Sequence, residues 1–413
     1  MSEPGKAAAD SGPSESALSR LRPPFASVLD LIGQTPVVEL TKFDTGKCRL
    51  FIKLESQNPG GSIKDRIALS MIAAAEKDGR LKRGGVIVEA TAGNTGLGLA
   101  QVGIPKGYRI ILVVPDKMSR EKIQHLRALG AEVRMTRSDV GKGHPEYYQD
   151  MAEKLTKETP GAIYINQFAN PANPLAHETT TGPEIFAQLE GDVDAVVVGV
   201  GSGGTLTGLG RFFAKHSPKT EMVLADPVGS VLAPLIKTGK MEEAGSWTVE
   251  GIGEDFVPPN ADLSLVRKAY SITDKQSMLA VRDLLSREGI LAGSSSGTLL
   301  SAALRYCREQ TTPKRVVTFV CDSGNKYLSK VFDGHLAGRA GPRRPGAAWR
   351  FARSGGAFAA HRRHRLCRPG GKPAQRLWPH APLGCLATAG ARRRQTGRHC
   401  RRERYTGQGR RPL

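Results

Sequence analysis

The sequence lacks any long hydrophobic run. No segment approaches the roughly 18–20 consecutive apolar residues that a membrane-spanning helix needs. The N-terminal stretch MSEPGKAAADSGPSES is polar and contains no apolar core of the kind found in signal peptides. Residues 1–24 are therefore predicted to form a disordered leader. These absences argue against an integral membrane protein.

Cysteine is scarce in the main part of the chain. Only Cys48, Cys307 and Cys321 precede residue 334, and their spacing suits neither a disulfide scaffold nor a zinc site. The three cysteines nearer the C-terminus are not metal-spaced either. This usage is typical of a reducing compartment, so we expect a cytoplasmic protein without a metal site.

Acidic residues are almost missing from the last part of the chain. The net charge of +21, summed over the whole chain, does not show this uneven distribution. Residues 335–413 contain nineteen arginines, one lysine and one glutamate, so this segment carries nearly all of the net charge. It has no Ile, Val, Met, Asn or Asp. A segment with so little apolar content cannot bury a core. Residues 334–413 are predicted to be a disordered, arginine-rich tail.

Two interpretations of this tail differ in kind. Arg, Gly, Ala and Pro have GC-rich codons, so we hypothesise that a frameshift near Asp333 replaced a regulatory or C-terminal segment. Resequencing that showed an uninterrupted native frame through Leu413 would contradict this. The alternative is a nucleic-acid-binding function, because clustered positive charges bind phosphate backbones nonspecifically. Aromatic residues are spread thinly in the tail. We therefore expect only incidental binding, which a salt titration with and without the tail would test.

The remaining chain alternates strand-like and helix-like segments. Apolar, β-branched runs such as GGVIVEA, YRIILVVPD and DAVVVGV are followed by turns and then by helical patterns. Such alternation predicts an α/β fold with open, mainly parallel sheets covered on both faces. Pro and Asn cluster in residues 166–177, so we place a boundary between two α/β domains at residues 25–170 and 171–333.

One lysine stands at an unusual position. The turn formers of QNPGGS are followed at once by Lys64 and a helical apolar pattern. A fixed positive charge at a helix N-terminus works against the helix dipole. Most lysines are solvated surface residues, but this position also suits a lysine that forms a Schiff base.

A glycine-rich loop follows the strand VVVGV. Its backbone N–H groups, from Gly201 to Thr205, can converge on a phosphate at a helix N-terminus. The same segment satisfies G-x-G-x-x-G, and Asp226 ends the next strand, as a dinucleotide site requires. This motif alone leaves a dinucleotide and another phosphate-bearing cofactor equally open, with a plain tight turn as a third possibility.

Two further turns add polar groups. EATAGNTG offers backbone N–H groups and hydroxyls at a helix start, which suits a carboxylate, although a capping turn needs no ligand. GILAGSSSG places serines at the end of an apolar segment, where they either cap the next helix or face a ligand. Two separate anion cradles favour a phosphate-bearing cofactor together with a carboxylate-bearing substrate.

Together, NPGGSIKDR, TAGNTG, GSGGT and GSSSG resemble the pyridoxal-phosphate enzymes of the cysteine synthase and cystathionine β-synthase family. The resemblance runs from about Ser27 to about Phe332, and four motifs in the right order are more specific than any one. It implies the fold-type-II architecture, similar to tryptophan synthase β, with two α/β domains around a cofactor cleft. It also favours pyridoxal phosphate over a dinucleotide.

The resemblance implies a role for each motif. Lys64 would form the Schiff base, Asn94 would bind the cofactor's ring hydroxyl, and Ser295, with Ser296 as the near alternative, would meet the pyridine nitrogen. The phosphate would be held by Gly201, Ser202, Gly203, Gly204 and Thr205. The substrate carboxylate would be held by Thr91, Ala92, Asn94, Thr95 and Gln167.

The choice of thiol depends on two segments. DPVGSVL and VEGIGEDFVP look more like cystathionine β-synthases, which join serine and homocysteine, than like cysteine synthases, which use O-acetylserine and sulfide. Glu250, Gly251 and Asp255 are thus candidate specificity residues, unless the loop only packs. The resemblance also implies small-molecule substrates, and we expect a homodimer. No His precedes His125, so we expect no haem.

One local departure from the family pattern concerns the helix after GNTG. Pro105 lacks a backbone N–H and clashes with the carbonyl four residues earlier in a helix. We therefore expect this helix to end early.

Overall fold

The computed structural model describes residues 24–332, apart from residues 92, 117, 119 and 142. The strands are Val37–Glu39 (β1), Arg49–Leu54 (β2), Val86–Ala90 (β3), Arg109–Pro115 (β4), Glu132–Thr136 (β5), Ala162–Tyr164 (β6), Ala195–Val198 (β7), Glu221–Pro227 (β8), Val266–Ile272 (β9) and Arg315–Val320 (β10). Residues 1–23 of the predicted leader and all of the predicted tail lie outside the described residues.

Helices separate most of these strands. They are Lys64–Lys77 (α1), Asn94–Gly103 (α2), Arg120–Ala128 (α3), Tyr148–Glu158 (α4), Ala172–Ala176 (α5), Gly182–Gln188 (α6), Gly204–His216 (α7), Leu232–Thr238 (α8), Asp274–Glu288 (α9) and Ser294–Arg308 (α10). A wide π-helical turn, His177–Thr181, joins α5 to α6. Within the described range, no helix is both long and apolar enough to span a bilayer.

The strands form two sheets. The larger has the order β1-β2-β10-β7-β8-β9, and the smaller has the order β5-β4-β3-β6. Only β1 pairs antiparallel; the other pairings are parallel. The predicted α/β class with mainly parallel sheets is confirmed. β1 and β2 share a sheet with strands from residues 195–320, so the sheets do not follow chain order. The predicted domain division at residue 170 stays a prediction.

The central strands are largely apolar because helices cover both of their faces. Every residue of β3 and of β7 is buried. The glycine-rich and polar turns follow the carboxyl ends of β3, β7 and β10, where ligands bind in open α/β sheets. The core therefore fixes the position of the turns that carry polar groups.

Close helix packing supports the start of α1. A Cβ added to Gly98 of α2 would lie 3.0 Å from the carbonyl oxygen of Lys64. Glycine at this position thus lets α2 approach the backbone at the first residue of α1. As predicted, α2 ends before Pro105: its last residue is Gly103, whose carbonyl accepts a hydrogen bond from the Tyr108 N–H. The proline clash is thereby avoided.

Candidate active site

A cavity lies where four helices begin. It encloses about 570 Å³ of space, its open mouth included. The helices α1, α2, α7 and α10 all have their N-terminal residues at its wall. Helix N-termini favour negatively charged ligands. The wall includes ten of the residues singled out by sequence: Lys64, Asn94, Gly201, Ser202, Gly203, Gly204, Thr205, Glu250, Gly251 and Ser295.

Lys64 is the first residue of α1 and is half-buried. The loop before it is tied to the end of β10, because the Ile63 N–H donates to the Cys321 carbonyl at 2.9 Å. Burial lowers the pKa of the Lys64 amine, and the acidic groups of Cys321, Glu254 and Asp322 oppose that fall without reversing it. A lowered pKa favours the neutral, nucleophilic amine.

There is no room for a side chain at Gly201, in the loop between β7 and α7, or at Gly204, the first residue of α7. A Cβ at Gly201 would lie 2.6 Å from the Gly251 carbonyl oxygen, and one at Gly204 would lie 1.8 Å from Asn173 Oδ1. Gly203 has a φ of +84°, which favours glycine. Residues 201–205 thus form a closely packed backbone cradle on the cavity wall, at the N-terminus of α7. Such a cradle fits the phosphate of a cofactor.

Side chains behind this loop hold its two hydroxyl residues. Asn173 Nδ2 donates to Ser202 Oγ at 2.9 Å, and Thr205 Oγ1 lies 3.2 Å from His177 Nε2. His177 is on the π-helical turn, and burial keeps the pKa of its imidazole well below the usual value. A neutral imidazole beside Thr205 adds no charge of its own to the cradle.

The three serines at the start of α10, Ser294 to Ser296, have different surroundings. Ser296 Oγ accepts a hydrogen bond from the Cys321 N–H at 3.0 Å, and Ser294 Oγ accepts one from the Glu250 N–H at 3.1 Å. Ser295 is the serine on the cavity wall, together with Cys321. Burial raises the pKa of the Cys321 thiol to about 12, so it is neutral. The geometry favours Ser295 over Ser296 as the residue that meets a ligand.

Of the proposed carboxylate-binding residues, Asn94 is on this wall, whereas Thr91, Thr95 and Gln167 are not among the residues that line it. Thr95 Oγ1 donates to Gln167 Oε1 at 2.7 Å, and both residues are buried. The Gly93 N–H donates to Thr91 Oγ1 at 3.3 Å. Ala92 lies outside the described residues. The structure thus brings Thr95 and Gln167 together beside Asn94, and their contact with a substrate stays a prediction.

Glu250 lies on the cavity wall with its charge already paired. Its carboxylate bonds Lys122 Nζ on one side and Lys330 Nζ, at 2.7 Å, on the other. Burial opposes ionisation, but the two ammonium groups outweigh it and hold the pKa of Glu250 below its usual value. Gly251 also contributes to the wall, whereas Asp255 is exposed. Any contact of Glu250 with a substrate would therefore involve a carboxylate that is already paired with Lys122 and Lys330.

Sequence reasoning missed a buried carboxyl group next to the carboxylate-binding turn. Glu89, at the end of β3, is fully buried, and neither oxygen has a regular hydrogen-bond partner in the described part of the chain. Burial raises its pKa to about 8, although the nearby N–H groups of Asn166 and Gln167 oppose the rise. Its place two residues before the start of TAGNTG was the signal that could have identified it.

This carboxyl group predicts a pH dependence of stability. The folded pKa of Glu89, about 8, lies above its ordinary value of 4.5, so raising the pH from about 5 to 8.5 should lower the free energy of unfolding. The loss is at most on the order of 4 kcal/mol. Burial also raises the pKa of Glu254 to about 8, which adds a loss of the same sign.

Urea denaturation across this pH range tests the prediction. Glu89→Gln should flatten the dependence, and Glu89→Gln/Glu254→Gln should flatten it further. The exposed Glu153→Gln on α4 should behave as the wild type. An unchanged pH slope in Glu89→Gln would show that Glu89 is not protonated near neutral pH.

A second group that sequence reasoning missed follows β10. Asp322 is buried and accepts hydrogen bonds from Asn94 Nδ2 and from the Tyr327 hydroxyl, both at 2.7 Å. Lys326 Nζ donates to Asn94 Oδ1 at 2.8 Å. The position of DSGNKY, directly after a strand as the glycine turns are, could have drawn attention to it.

Comparison with known proteins places the chain in one family. Residues 28–322 match the family described as pyridoxal-phosphate dependent enzymes. Cystathionine β-synthases from Apis mellifera and Saccharomyces cerevisiae are both 43% identical, over 73% and 74% of this chain, and the matches span 60% and 63% of their own lengths. The chain therefore matches less than two thirds of these relatives. A cysteine synthase from Staphylococcus aureus is 41% identical over 74% of this chain and 96% of its own.

Solved structures give the same result. A hydrogen sulfide-producing enzyme from Fusobacterium nucleatum is 38% identical, with a TM-score of 0.69 over 74% of this chain and 100% of its own. An O-ureido-L-serine synthase is 34% identical, with a TM-score of 0.70 over 76% of this chain and 96% of its own. The family match over more than half of the chain, together with these relatives, shows that the chain belongs to the family of pyridoxal-phosphate dependent enzymes.

Proposed function

We propose that the protein catalyses β-replacement on L-serine with homocysteine as the nucleophile, giving cystathionine. The observation that carries the proposal is the shared cavity of Lys64, the glycine cradle and Ser295. The cystathionine β-synthases among its relatives and the segment around Glu250 support homocysteine as the thiol.

The described residues would hold the cofactor at four points. Lys64 would bind it covalently, residues 201–205 would hold its phosphate, Ser295 would meet the pyridine nitrogen, and Asn94 would bind the ring oxygen. When bound, pyridoxal phosphate supplies an electron sink for negative charge at Cα of the amino acid. A neutral serine hydroxyl does not favour protonation of the pyridine nitrogen, which favours elimination at Cβ over transamination.

Proton movements would then fall to Lys64. Displaced by the incoming amino group, its amine, with a lowered pKa, would take the Cα proton. The Cβ–O bond of serine would break, and Lys64 would give its proton to the leaving hydroxide, which departs as water. The thiol of homocysteine would then give its proton to Lys64 as its sulfur forms the new bond to Cβ, and Lys64 would pass that proton to Cα. Thr91, Thr95 and Gln167 would orient the substrate carboxylate during both steps.

A second candidate is cysteine synthase, which uses O-acetylserine and sulfide. The Staphylococcus aureus relative favours it, because that match covers nearly all of the relative's length. Both candidates share the cofactor and the lysine, and they differ in leaving group and thiol. Homodimer formation and nucleic-acid binding by the tail stay predictions.

Absorption of the purified holoenzyme tests the choice. We expect the visible band of the bound cofactor to shift on adding L-serine, because only a site adapted to serine expels hydroxide, a poor leaving group. Homocysteine should then restore the original band and yield cystathionine. A band that ignores serine but shifts with O-acetylserine, and is restored by sulfide, would contradict the proposal in favour of cysteine synthase.

A further inference from the structure

The side chain of Asn94 is held at both ends of its amide. Oδ1 accepts a hydrogen bond from Lys326 Nζ at 2.8 Å, and Nδ2 donates to Asp322 Oδ2 at 2.7 Å. Burial raises the pKa of Asp322 and lowers that of Lys326, and the attraction between the two groups opposes both shifts. With both groups ionised, one partner is an ammonium and the other a carboxylate, so both hydrogen bonds are charge-assisted and roughly twice as strong as neutral ones. Rotating the amide by 180° would place its NH₂ group against the ammonium of Lys326 and its oxygen against the carboxylate of Asp322. The two charges thus select one orientation.

The two charged residues are themselves fixed. Asp322 is 1% exposed, and its Oδ2 also accepts the Tyr327 hydroxyl at 2.7 Å. A Cβ at Gly293 would lie 2.0 Å from Asp322 Oδ1, so glycine there makes room for the carboxylate. Lys326 Nζ also donates to the Gly60 carbonyl at 3.1 Å, in the turn before Lys64. The clamp, defined as Asp322 and Lys326, thus connects the end of β10 to the loops at α1 and α2.

The clamp leaves one N–H of Asn94 uncommitted. An amide nitrogen carries two hydrogens, and Asp322 takes one of them. Asn94 lies on the cavity wall, where the remaining hydrogen can meet a ligand. Because its oxygen is turned to Lys326, the side chain faces the cavity as a donor.

We propose that Asp322 and Lys326 are positioning residues that make Asn94 a hydrogen-bond donor to the ring oxygen of the cofactor, and so keep that oxygen ionised. The inference rests on the proposed function, since it assumes the cofactor in this cavity with its ring oxygen at Asn94. An ionised aromatic oxygen accepts hydrogen bonds and cannot donate them. It therefore complements the N–H of Asn94 that the clamp leaves uncommitted.

The test compares the bound cofactor in wild type, Lys326→Met and Lys326→Arg. We expect Lys326→Met to raise the dissociation constant of pyridoxal phosphate about tenfold, the effect of one hydrogen bond. At constant pH it should also shift intensity from the visible band to the near-ultraviolet band, which reports a neutral ring oxygen. Lys326→Arg keeps the charge and a donor, so it should retain the wild-type band ratio.

Controls separate positioning from general stability. Asp322→Asn keeps the shape of the side chain and should shift the band ratio in the same direction as Lys326→Met. Lys275→Met changes an exposed lysine on α9 and should alter neither the ratio nor the dissociation constant. Thermal unfolding of each variant shows whether it is folded, and the band ratio is read only from the bound fraction.

The outcomes distinguish the two proposals. If wild type binds the cofactor and responds to serine, but Lys326→Met and Asp322→Asn both keep the wild-type band ratio and dissociation constant, the clamp is wrong and the proposed function stands. If wild type itself forms no lysine-linked cofactor band, the proposed function is overturned and this inference with it.

Discussion

Replacing Lys64 with alanine is expected to abolish covalent binding of pyridoxal phosphate and to lower kcat/KM by at least about 10³-fold. Lys64 would supply both the covalent link and the amine that moves the Cα proton, and its pKa is lowered by burial. No other lysine lines the cavity in the described part of the chain. We therefore expect the visible cofactor band to disappear with the activity.

A lysine on the same helix provides the control. Lys77, the last residue of α1, is exposed, so Lys77→Ala should leave the band and the activity unchanged. Both variants should have similar unfolding temperatures. A Lys64→Ala protein that kept the lysine-linked band, or more than a tenth of the activity, would show that another residue carries these roles.

Four charged side chains form a buried ionic network near α1. Arg66 Nε lies 2.7 Å from Glu55 Oε2, and Arg66 Nη2 lies 2.7 Å from Glu184 Oε2. Lys53 Nζ lies 2.8 Å from the same Glu184 oxygen. Lys53, Glu55 and Arg66 are at most 3% exposed. The network holds two positive and two negative charges and links β2, α1 and α6.

Glu184→Gln should lower the free energy of unfolding by about 3–5 kcal/mol at pH 7, because it leaves a buried positive charge uncompensated. Burial opposes ionisation of Glu184, but Arg66 and Lys53 outweigh it and lower its pKa to about 2, so the carboxylate is ionised at pH 7. Denaturant unfolding measures the loss.

Two further variants test the electrostatic cause. Lys53→Met/Glu184→Gln restores a neutral network and should recover part of the loss. Glu153→Gln removes an exposed carboxylate and should change stability by less than about 0.5 kcal/mol. The double variant could instead be less stable than Glu184→Gln, with a further loss in the free energy of unfolding as large as that of Lys53→Met alone. Lost packing rather than unpaired charge would then explain the effect.

Much of the fold could be predicted from local sequence patterns. β3, β4, β7, β8 and β10 are apolar runs, so the alternation with helices identified the class. β9 was missed because Arg267 and Lys268 interrupt its pattern, as is common in edge strands. The sheet order was out of reach, since β2 pairs with β10, more than 250 residues later in the chain.

The candidate site also has a part that sequence motifs predict and a part that they do not. Lys64 and the cradle at residues 201–205 each belong to a short, recognisable motif, and the structure places them in one cavity. The contacts of Asn94 with Asp322 and of Lys53 with Glu184 join residues more than 100 positions apart. Spacing along the chain carries no signal for such pairs, so only the folded structure could reveal them.

Lys64 is expected to carry the cofactor in this cavity. Borohydride reduction of the holoenzyme fixes a lysine-linked cofactor as a stable secondary amine, and proteolysis with mass spectrometry then locates it. We predict one modified peptide, with the pyridoxyl group on Lys64. A stoichiometric label on a different lysine, or no label in protein that turns over serine, would contradict the account.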